Sequence, residues 1–515
     1  MPTDAVPSAR AGRRSAGLWA GPVAFAIVFW GWGGPEGQPL LGAMAAVAVW
    51  MSVWWMTEAT PLAVTSLLPL VLFPLLGIAD AKRVSGHYFN EIIALYFGAF
   101  LIALAMERWH LHRRIALHLL AAVGVTPGRM IGGFLLTAGL LSMWISNTAT
   151  ALMMLPIGLA VIRQVDEAAG TERSRPLALG LMLAIAYGAS IGGIATPVGT
   201  PTNLAFIKIY RDTFPAAPAI SFGEWMLVAF PIAVLLMLAT WWLLAQVFCR
   251  TEAGLTLDRN VIRNELVRLG PGTWEERLVF AVFVSAGLLW VFRSDLNLGF
   301  VAVPGWSRLH PVLSNVDDST VAIALAVLLF LLPSRSERGT LLDASTIARV
   351  PWDVLLLFGG GFALASGFVS TGFSAYLASG LGSLGHVPEI VALLIVCALL
   401  TFLTELTSNV ATATMFLPVI AAWAVSEGVH PLILMIPATL SASMAFMLPV
   451  ATPPNAVVFS SRRVRVADMA KIGLALNLIG IVVIASLCQW LLPAVLNFDP
   501  NVLPSWAPAL GSAPR

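Results

Sequence analysis

The amino-acid sequence predicts an all-α integral membrane fold of about eleven transmembrane helices plus two re-entrant hairpins, arranged as two inverted repeats. Three observations carry this. Of the 515 residues, 58% are hydrophobic and 11% charged, whereas soluble proteins carry about 25% charged residues. A chain of this size in water would need far more polar surface to cover its core. The apolar residues fall in runs long enough to cross a bilayer, which takes about 20 residues as a helix. One polar motif occurs twice, once in each half, inside stretches that are otherwise apolar. The 43 Gly and 33 Pro suit helices that are interrupted within the membrane.

Residues 1–39 form an N-terminal segment and a first span. Arg10, Arg13 and Arg14 precede an apolar run from Ala16 to Trp32. The pattern resembles a signal peptide, but no small-residue cleavage site follows and the run leads into further spans. It reads as a first transmembrane helix that stays. The spans lie at 17–33, 40–57, 61–77, 91–107, 177–210, 222–249, 275–293, 318–333, 352–371, 431–460 and 470–496. Two further apolar stretches, 127–164 and 388–427, carry a polar break in the middle and read as hairpins of two half-helices. Residues 40–249 make the first repeat, with the inner hairpin 127–164 and a broken helix at 177–210. Residues 250–274 are a solvated cytoplasmic linker. Residues 275–497 make the second repeat, with the outer hairpin 388–427 and a broken helix at 431–460, and 498–515 form a tail.

Charge sets the orientation, because cytoplasmic loops of membrane proteins are enriched in Lys and Arg. With the N-terminus in the cytoplasm, 22 of the 29 Lys and Arg fall on the cytoplasmic side. Lys82, Arg83, Lys208, Arg211, Arg293, Arg308 and Arg515 fall outside, as does the C-terminus. The chain is therefore expected in the inner (cytoplasmic) membrane, with the lipid bilayer as its solvent. Cys249, Cys397 and Cys488 lie far apart in or beside apolar runs, without metal or disulfide spacing. His110, His112 and His118 share a basic, interfacial loop. No basic cluster interleaved with aromatics points to nucleic acid. No histidine could serve Ser146 or Ser408 as a base, which argues against a membrane enzyme.

Comparing the halves is most informative. Ser146-Asn147-Thr148-Ala149-Thr150 returns as Ser408-Asn409-Val410-Ala411-Thr412, with Pro156 and Pro418 each nine residues after the Asn. Upstream, Phe97-Gly98 matches Phe358-Gly359. Downstream, Pro197-Val198-Gly199-Thr200-Pro201-Thr202-Asn203 matches Pro449-Val450-Ala451-Thr452-Pro453-Pro454-Asn455. The first hairpin follows a cytoplasmic loop and the second an external one, so the repeats are inverted. Secondary transporters built this way bind cargo near the midplane, on interrupted helices in matching positions. Paired broken helices favour such a carrier over a channel.

These residue types suit that task. A half-helix that begins in mid-membrane leaves N–H groups unpaired, and these together with the helix dipole attract an anion. Asn and Thr side chains donate to carboxylates, while Ser and Asn oxygens and freed carbonyls ligate a hard cation. Neither motif contains Lys or Arg. Bringing a multivalent anion into low dielectric is costly, so co-bound cations are expected to offset that cost. Glu405, three residues before Ser408, is an intramembrane carboxylate expected to serve structurally near the hairpin tip. Glu58 reads as a helix-end anchor.

The paired Ser-Asn motifs, the two Pro-rich breaks and the stretch Trp55-Met56-Thr57-Glu58-Ala59-Thr60-Pro61 resemble the divalent anion–sodium symporter family. So does the run Ala442-Ser443-Met444-Ala445-Phe446-Met447-Leu448-Pro449-Val450-Ala451, followed by Asn455 and Val457-Val458. The likeness spans residues 40–495. It implies a first Na⁺ site at Ser142, Ser146, Asn147 and the Gly199 backbone. It implies a second at Thr404, Thr407, Asn409 and the Ala451 backbone. Substrate carboxylates would meet Asn147, Thr148, Thr200, Asn409, Thr412 and Pro453. The family fold implies a homodimer that works as an elevator, with sodium-coupled symport of small dicarboxylates. Sulfate or citrate symport and sodium-independent exchange are the alternatives. Val410 departs from the pattern: it stands where the first motif has Thr148, removing one hydroxyl donor from the second half.

Overall fold

A computed structural model describes residues 7–124, 126–250, 260–297, 301–382 and 388–507. Among the described residues the architecture is helical throughout. The one sheet is a two-stranded ribbon, Leu296–Asn297 against Ala302–Val303. Each of the eleven expected spans falls on a helix or a pair of helices. Among the described residues, eight helices suffice by length and apolar composition to cross a bilayer, and five further apolar helices are shorter.

The two hairpins form where the polar breaks predict them. The first pairs Pro127–Ser142 with Asn147–Ala169, and the second pairs Glu389–Thr404 with Asn409–Ser426. Pro127 sits in the first turn of its helix, where a missing N–H costs nothing. Both broken helices are also interrupted as expected. Thr171–Gly193 stops and Pro201–Thr213 resumes. Leu432–Ser441 stops and Pro453–Ser460 resumes. Pro197 and Pro449 lie within the interruptions, and Pro201 and Pro453 restart the helices at the position that proline tolerates.

Several regions differ from expectation. Span 61–77 is two short helices, Leu62–Thr65 and Leu68–Leu75. Pro69 lies in the first turn of the second of them, and Ser66 Oγ donates to the Leu62 carbonyl at 2.8 Å. The basic loop after residue 108 contains a helix, Leu111–Val123. Within the linker 250–274, residues 251–259 lie outside the described set, but Asn260–Leu269 is a helix. It is fastened to its neighbour by Arg113–Glu265 at 2.6 Å. Arg114 anchors the next helix, Trp274–Val291, through Glu276 at 2.8 Å. The described helix of the linker is thus a docked element, tied to Leu111–Val123 through Glu265. In the tail, Trp506 packs edge-on against Tyr210, Phe214 and His430, and Phe498 stacks on His430 with ring centroids 3.8 Å apart. The His430 N–H donates to the Pro500 carbonyl at 2.9 Å. Burial holds the His430 imidazole down at about 4, so it is neutral in this stack at ordinary pH.

Burial identifies the centre. Of the apolar stretch in Thr171–Ile194, 94% is buried, against 33% in the last helix, Val466–Leu496. Glycines let the central helix approach its neighbour closely. A Cβ at Gly192 would lie 2.1 Å from the Gly139 carbonyl oxygen, and one at Gly188 would lie 2.6 Å from that of Leu135. In a bilayer, where lipid is as apolar as leucine, such small-residue seams supply the packing that holds helices together. Gly192→Ala must push backbone against backbone. We predict a loss of about 1–3 kcal/mol, read as a lower melting temperature of the detergent-solubilised protein, with an unchanged melting curve counting against the seam.

Candidate functional site

The site begins at the first hairpin tip. Ser146 caps the helix Asn147–Ala169, its hydroxyl accepting from the Ala149 N–H at 3.2 Å. Ser142, at the end of the preceding helix, hydrogen-bonds Asn147 through its hydroxyl. With its amide nitrogen turned toward the broken helix, Asn147 donates to the carbonyls of Ala189 and Gly199 at 3.2 and 3.3 Å. Gly199 lies among further carbonyls. A Cβ there would fall 2.5 Å from the Gly193 oxygen and 3.0 Å from those of both Met143 and Ser142. Several uncharged oxygens therefore converge where hairpin and break meet, which is the donor set a hard monovalent cation takes.

The second tip repeats the plan with different details. Thr404 donates to Asn409 Oδ1 and lies against the Ala442 carbonyl, both at 2.8 Å. Thr407 donates to the Leu403 carbonyl at 3.0 Å and shares a hydrogen bond with Thr412. Ser408 precedes Asn409–Ser426 and makes no side-chain cap. Glu405 reaches across to the second break. Its Oε1 accepts from the N–H groups of Phe446 at 2.7 Å and Met447 at 2.8 Å and from Asn477 Nδ2 at 2.8 Å, while Oε2 accepts from the Leu448 N–H at 3.1 Å. A buried carboxylate with four donors fixes the unwound segment, the structural role expected of it.

Each break is braced by an asparagine. Asn203 Nδ2 donates to the carbonyls of Gly193, Ile194 and Thr196, at 3.3, 3.2 and 2.8 Å. Asn455 Nδ2 donates to those of Ala445 and Leu448, at 3.1 and 3.0 Å. Thr196 adds a bond to the Met143 carbonyl and accepts from the Gly199 N–H at 3.0 Å. These interactions hold freed carbonyls in place where no helix can.

Between the tips lies a cavity of about 1870 Å³, lined by Ser146, Asn147, Thr148, Gly199, Thr200, Thr407, Asn409, Val410, Ala451 and Pro453 among others. Four helices begin on its wall, at Asn147, Pro201, Asn409 and Pro453. Four positive helix ends thus meet one space, although Pro201, Pro453 and Pro454 carry no N–H and the Asn455 N–H is capped by Thr452, so the first-turn donors come chiefly from the helices that begin at Asn147 and Asn409. No Lys or Arg belongs to these four ends. Arg113, Arg163, Arg268 and Arg349 also line the cavity, and they come from the segments that the charge count places in the cytoplasm. Arg113 and Arg268 pair with Glu265, at 2.6 and 3.0 Å, and Arg349 with Glu107 at 2.6 Å. The Trp55–Pro61 stretch contributes Trp55, Met56, Thr57, Glu58 and Pro61 to the wall.

Of the residues singled out from sequence, Ser142 and Thr404 sit behind the tips, fully buried, off the cavity wall but bonded to Asn147 and Asn409. Thr412 is also off the wall, buried behind Thr407. The others line it. Asn203, Asn455 and Thr196 received no role from sequence, although both asparagines stand at matching places in the repeat. That recurrence was the signal available.

Residues 19–496 match the family described as "Sodium:sulfate symporter transmembrane region". A sodium-dependent dicarboxylate transporter, SdcS, of Staphylococcus saprophyticus is 39% identical over 462 residues, covering 88% of this chain and 86% of its own. SdcS of Staphylococcus aureus is 39% identical over 493 residues, covering 94% and 92%. Two solved structures share the fold at 13% identity. The YdaH transporter of Alcanivorax borkumensis has a TM-score of 0.54 over 84% of this chain and 98% of its own. MtrF of Neisseria gonorrhoeae has a TM-score of 0.57 over 82% and 84%.

Glu405→Ala deletes four hydrogen bonds at once. We predict destabilisation by about 3 kcal/mol or more, measured by thermal unfolding in detergent. Melting as in the parent chain would remove Glu405 from the bracing of the second break.

Proposed function

The chain belongs to the sodium:sulfate symporter family, and from this premise we propose that it carries small dicarboxylates across the cytoplasmic membrane by sodium-coupled symport. It is a transporter and not an enzyme. The observation that carries the substrate reading is the convergence of four helix N-termini on one cavity without a cationic side chain among them. The relatives named as sodium-dependent dicarboxylate transporters support the choice of ion and cargo.

The energetics make the coupling intelligible. Each helix end contributes about 1 kcal/mol toward an anion. Dehydrating a carboxylate costs several kcal/mol. Four helix ends therefore fall short of holding two carboxylates. A bound Na⁺ supplies the missing positive charge, worth about 4 kcal/mol at 4 Å separation in a polar protein setting. Asn147 and Asn409 are placed to serve both partners. The side-chain amide of Asn147 reaches Ser142, Ala189 and Gly199 behind its tip and the side-chain oxygen of Asn409 accepts from Thr404, while each residue begins a helix on the cavity wall. Thr148 and Thr200 add hydroxyl donors, and the Pro453 end adds backbone. Ser146, Thr407 and Ala451 complete the two proposed cation sites.

In this reading the two halves are inverted repeats, with the N-terminus in the cytoplasm and the C-terminus outside. The cavity is lined by cytoplasmic-side arginines, so this conformation faces inward. The chain works as a homodimer, and the hairpins with the broken helices move as one body against the remaining helices, as an elevator. The 22 of 29 Lys and Arg on one side support the orientation.

Purified protein in liposomes tests this. Labelled succinate uptake is expected to follow an imposed inward Na⁺ gradient, with weak competition by sulfate and citrate. Uptake indifferent to Na⁺ would indicate exchange, and strong sulfate competition would favour an inorganic anion. Val410 keeps its backbone N–H but offers no hydroxyl where the first half has Thr148. Val410→Thr is predicted to change the ranking of dicarboxylates by about 1 kcal/mol, or roughly fivefold in relative affinity. An unchanged competition profile would remove Val410 as a determinant of selectivity.

A further inference from the structure

The two proposed cation sites lie in different halves, yet hydrogen bonds that neither site requires join their walls. Tyr187 lies on the helix whose carbonyls at Ala189 and Gly193 wall the first site. Its ring is fully buried, and its hydroxyl donates to the Phe446 carbonyl in the second break at 2.9 Å, with the Met469 carbonyl at 3.4 Å. The rings of Tyr187 and Phe446 meet edge-on with centroids 5.0 Å apart. The N–H of the same Phe446 donates to Glu405, the residue after Thr404 of the second site. The last helix closes the remaining side, since a Cβ at Gly473 would lie 2.3 Å from the Phe446 oxygen. Phe446 is thus gripped at its carbonyl by the first half and at its N–H by the second hairpin. A second link is shorter. Thr202, in the first turn after the first break, shares a hydrogen bond of 2.6 Å with Ser443 of the second, and both are buried. Ser443 follows Ala442, whose carbonyl contacts Thr404.

We infer that Tyr187, with the Thr202–Ser443 pair, couples the two cation sites, so that filling one raises the affinity of the other. A cation that draws Gly193 and Gly199 into place fixes the end of the Tyr187 helix and the start of the Thr202 helix. Through Phe446 and Ser443, that ordering reaches the segment walling the second site. The second ion then orders fewer groups on binding, which is positive cooperativity. Tyr187 and Thr202 act here as positioning residues, since neither belongs to a proposed ion or substrate set. The inference rests on the sodium-coupled reading above.

The test is the Na⁺ dependence of succinate uptake in proteoliposomes, compared between the parent chain and Tyr187→Phe, which removes only the hydroxyl. Thr202→Val and the double variant provide independent checks. The parent chain is expected to give a sigmoidal Na⁺ curve. In each single variant the half-saturating Na⁺ concentration is expected to rise about fivefold or more, the curve flattening toward hyperbolic, with near-parental maximal uptake at saturating Na⁺. The double variant should show the larger shift. A purely structural role would lower maximal uptake and leave the shape of the Na⁺ curve unchanged, and that result overturns the inference. A parental curve that is hyperbolic overturns it as well. Uptake by the parent chain without any Na⁺ dependence overturns the underlying reading, and the coupling with it.

Discussion

A backbone N–H or carbonyl inside a bilayer has no water to turn to, so the protein must satisfy it or present it to a ligand. The rest of this structure depends on that constraint. Four helices begin within the membrane-embedded body, and two chain segments there have no helical partners at all. Carbonyls of the two breaks are held by Asn203 and Asn455, and Thr196 ties the first break to the hairpin. The N–H groups of the second break are satisfied by Glu405. What is left over is selective: the positive ends of four helices on one cavity, with first-turn N–H groups chiefly at the two hairpin tips. The bracing and the site are thus two outcomes of the same requirement, divided between groups turned inward and groups turned to the cavity.

The two halves meet that requirement with different chemistry. In the first, hydroxyl and amide groups tie the break to the hairpin: Thr196 to Met143, and Asn147 to Ala189 and Gly199. In the second, a carboxylate does much of the work, through Glu405. Thr407 and Thr412 bond each other, where Ile145 and Thr150 stand in the first half. A repeated sequence therefore does not produce identical sites. The first gathers more main-chain oxygens around one glycine, and the second relies more on side chains.

Much of this was legible in the sequence. Apolar run lengths located the helices, and the recurrence of Ser-Asn with its downstream proline-rich segment located the breaks and the cavity wall. Helix-period patterns in Leu111–Val123 and Asn260–Leu269 were hidden by their charge, because ion pairs such as Arg113–Glu265 become visible only when the partners are brought together. Thr412 shows another limit. Its place in the repeat is the same as that of Thr150, but whether a hydroxyl on the next turn faces the cavity or a neighbouring threonine depends on helix rotation, which packing decides. Glu405 could be recognised as structural, but not what it held, since three of its partners are backbone groups about 40 residues away and the fourth is Asn477 on the last helix.

Trp506 joins rings from both halves, touching Tyr210 and Phe214 on one side and His430 on the other. It follows all of these in the chain, by just under 300 residues in the case of Tyr210. During synthesis, the C-terminal end of the first broken helix is made and inserted long before the residue that covers it exists. The two halves can each acquire their helices as they emerge. Their joint at this end closes only after the second half is complete, so docking of the halves here is a late event in the life of the newly made chain.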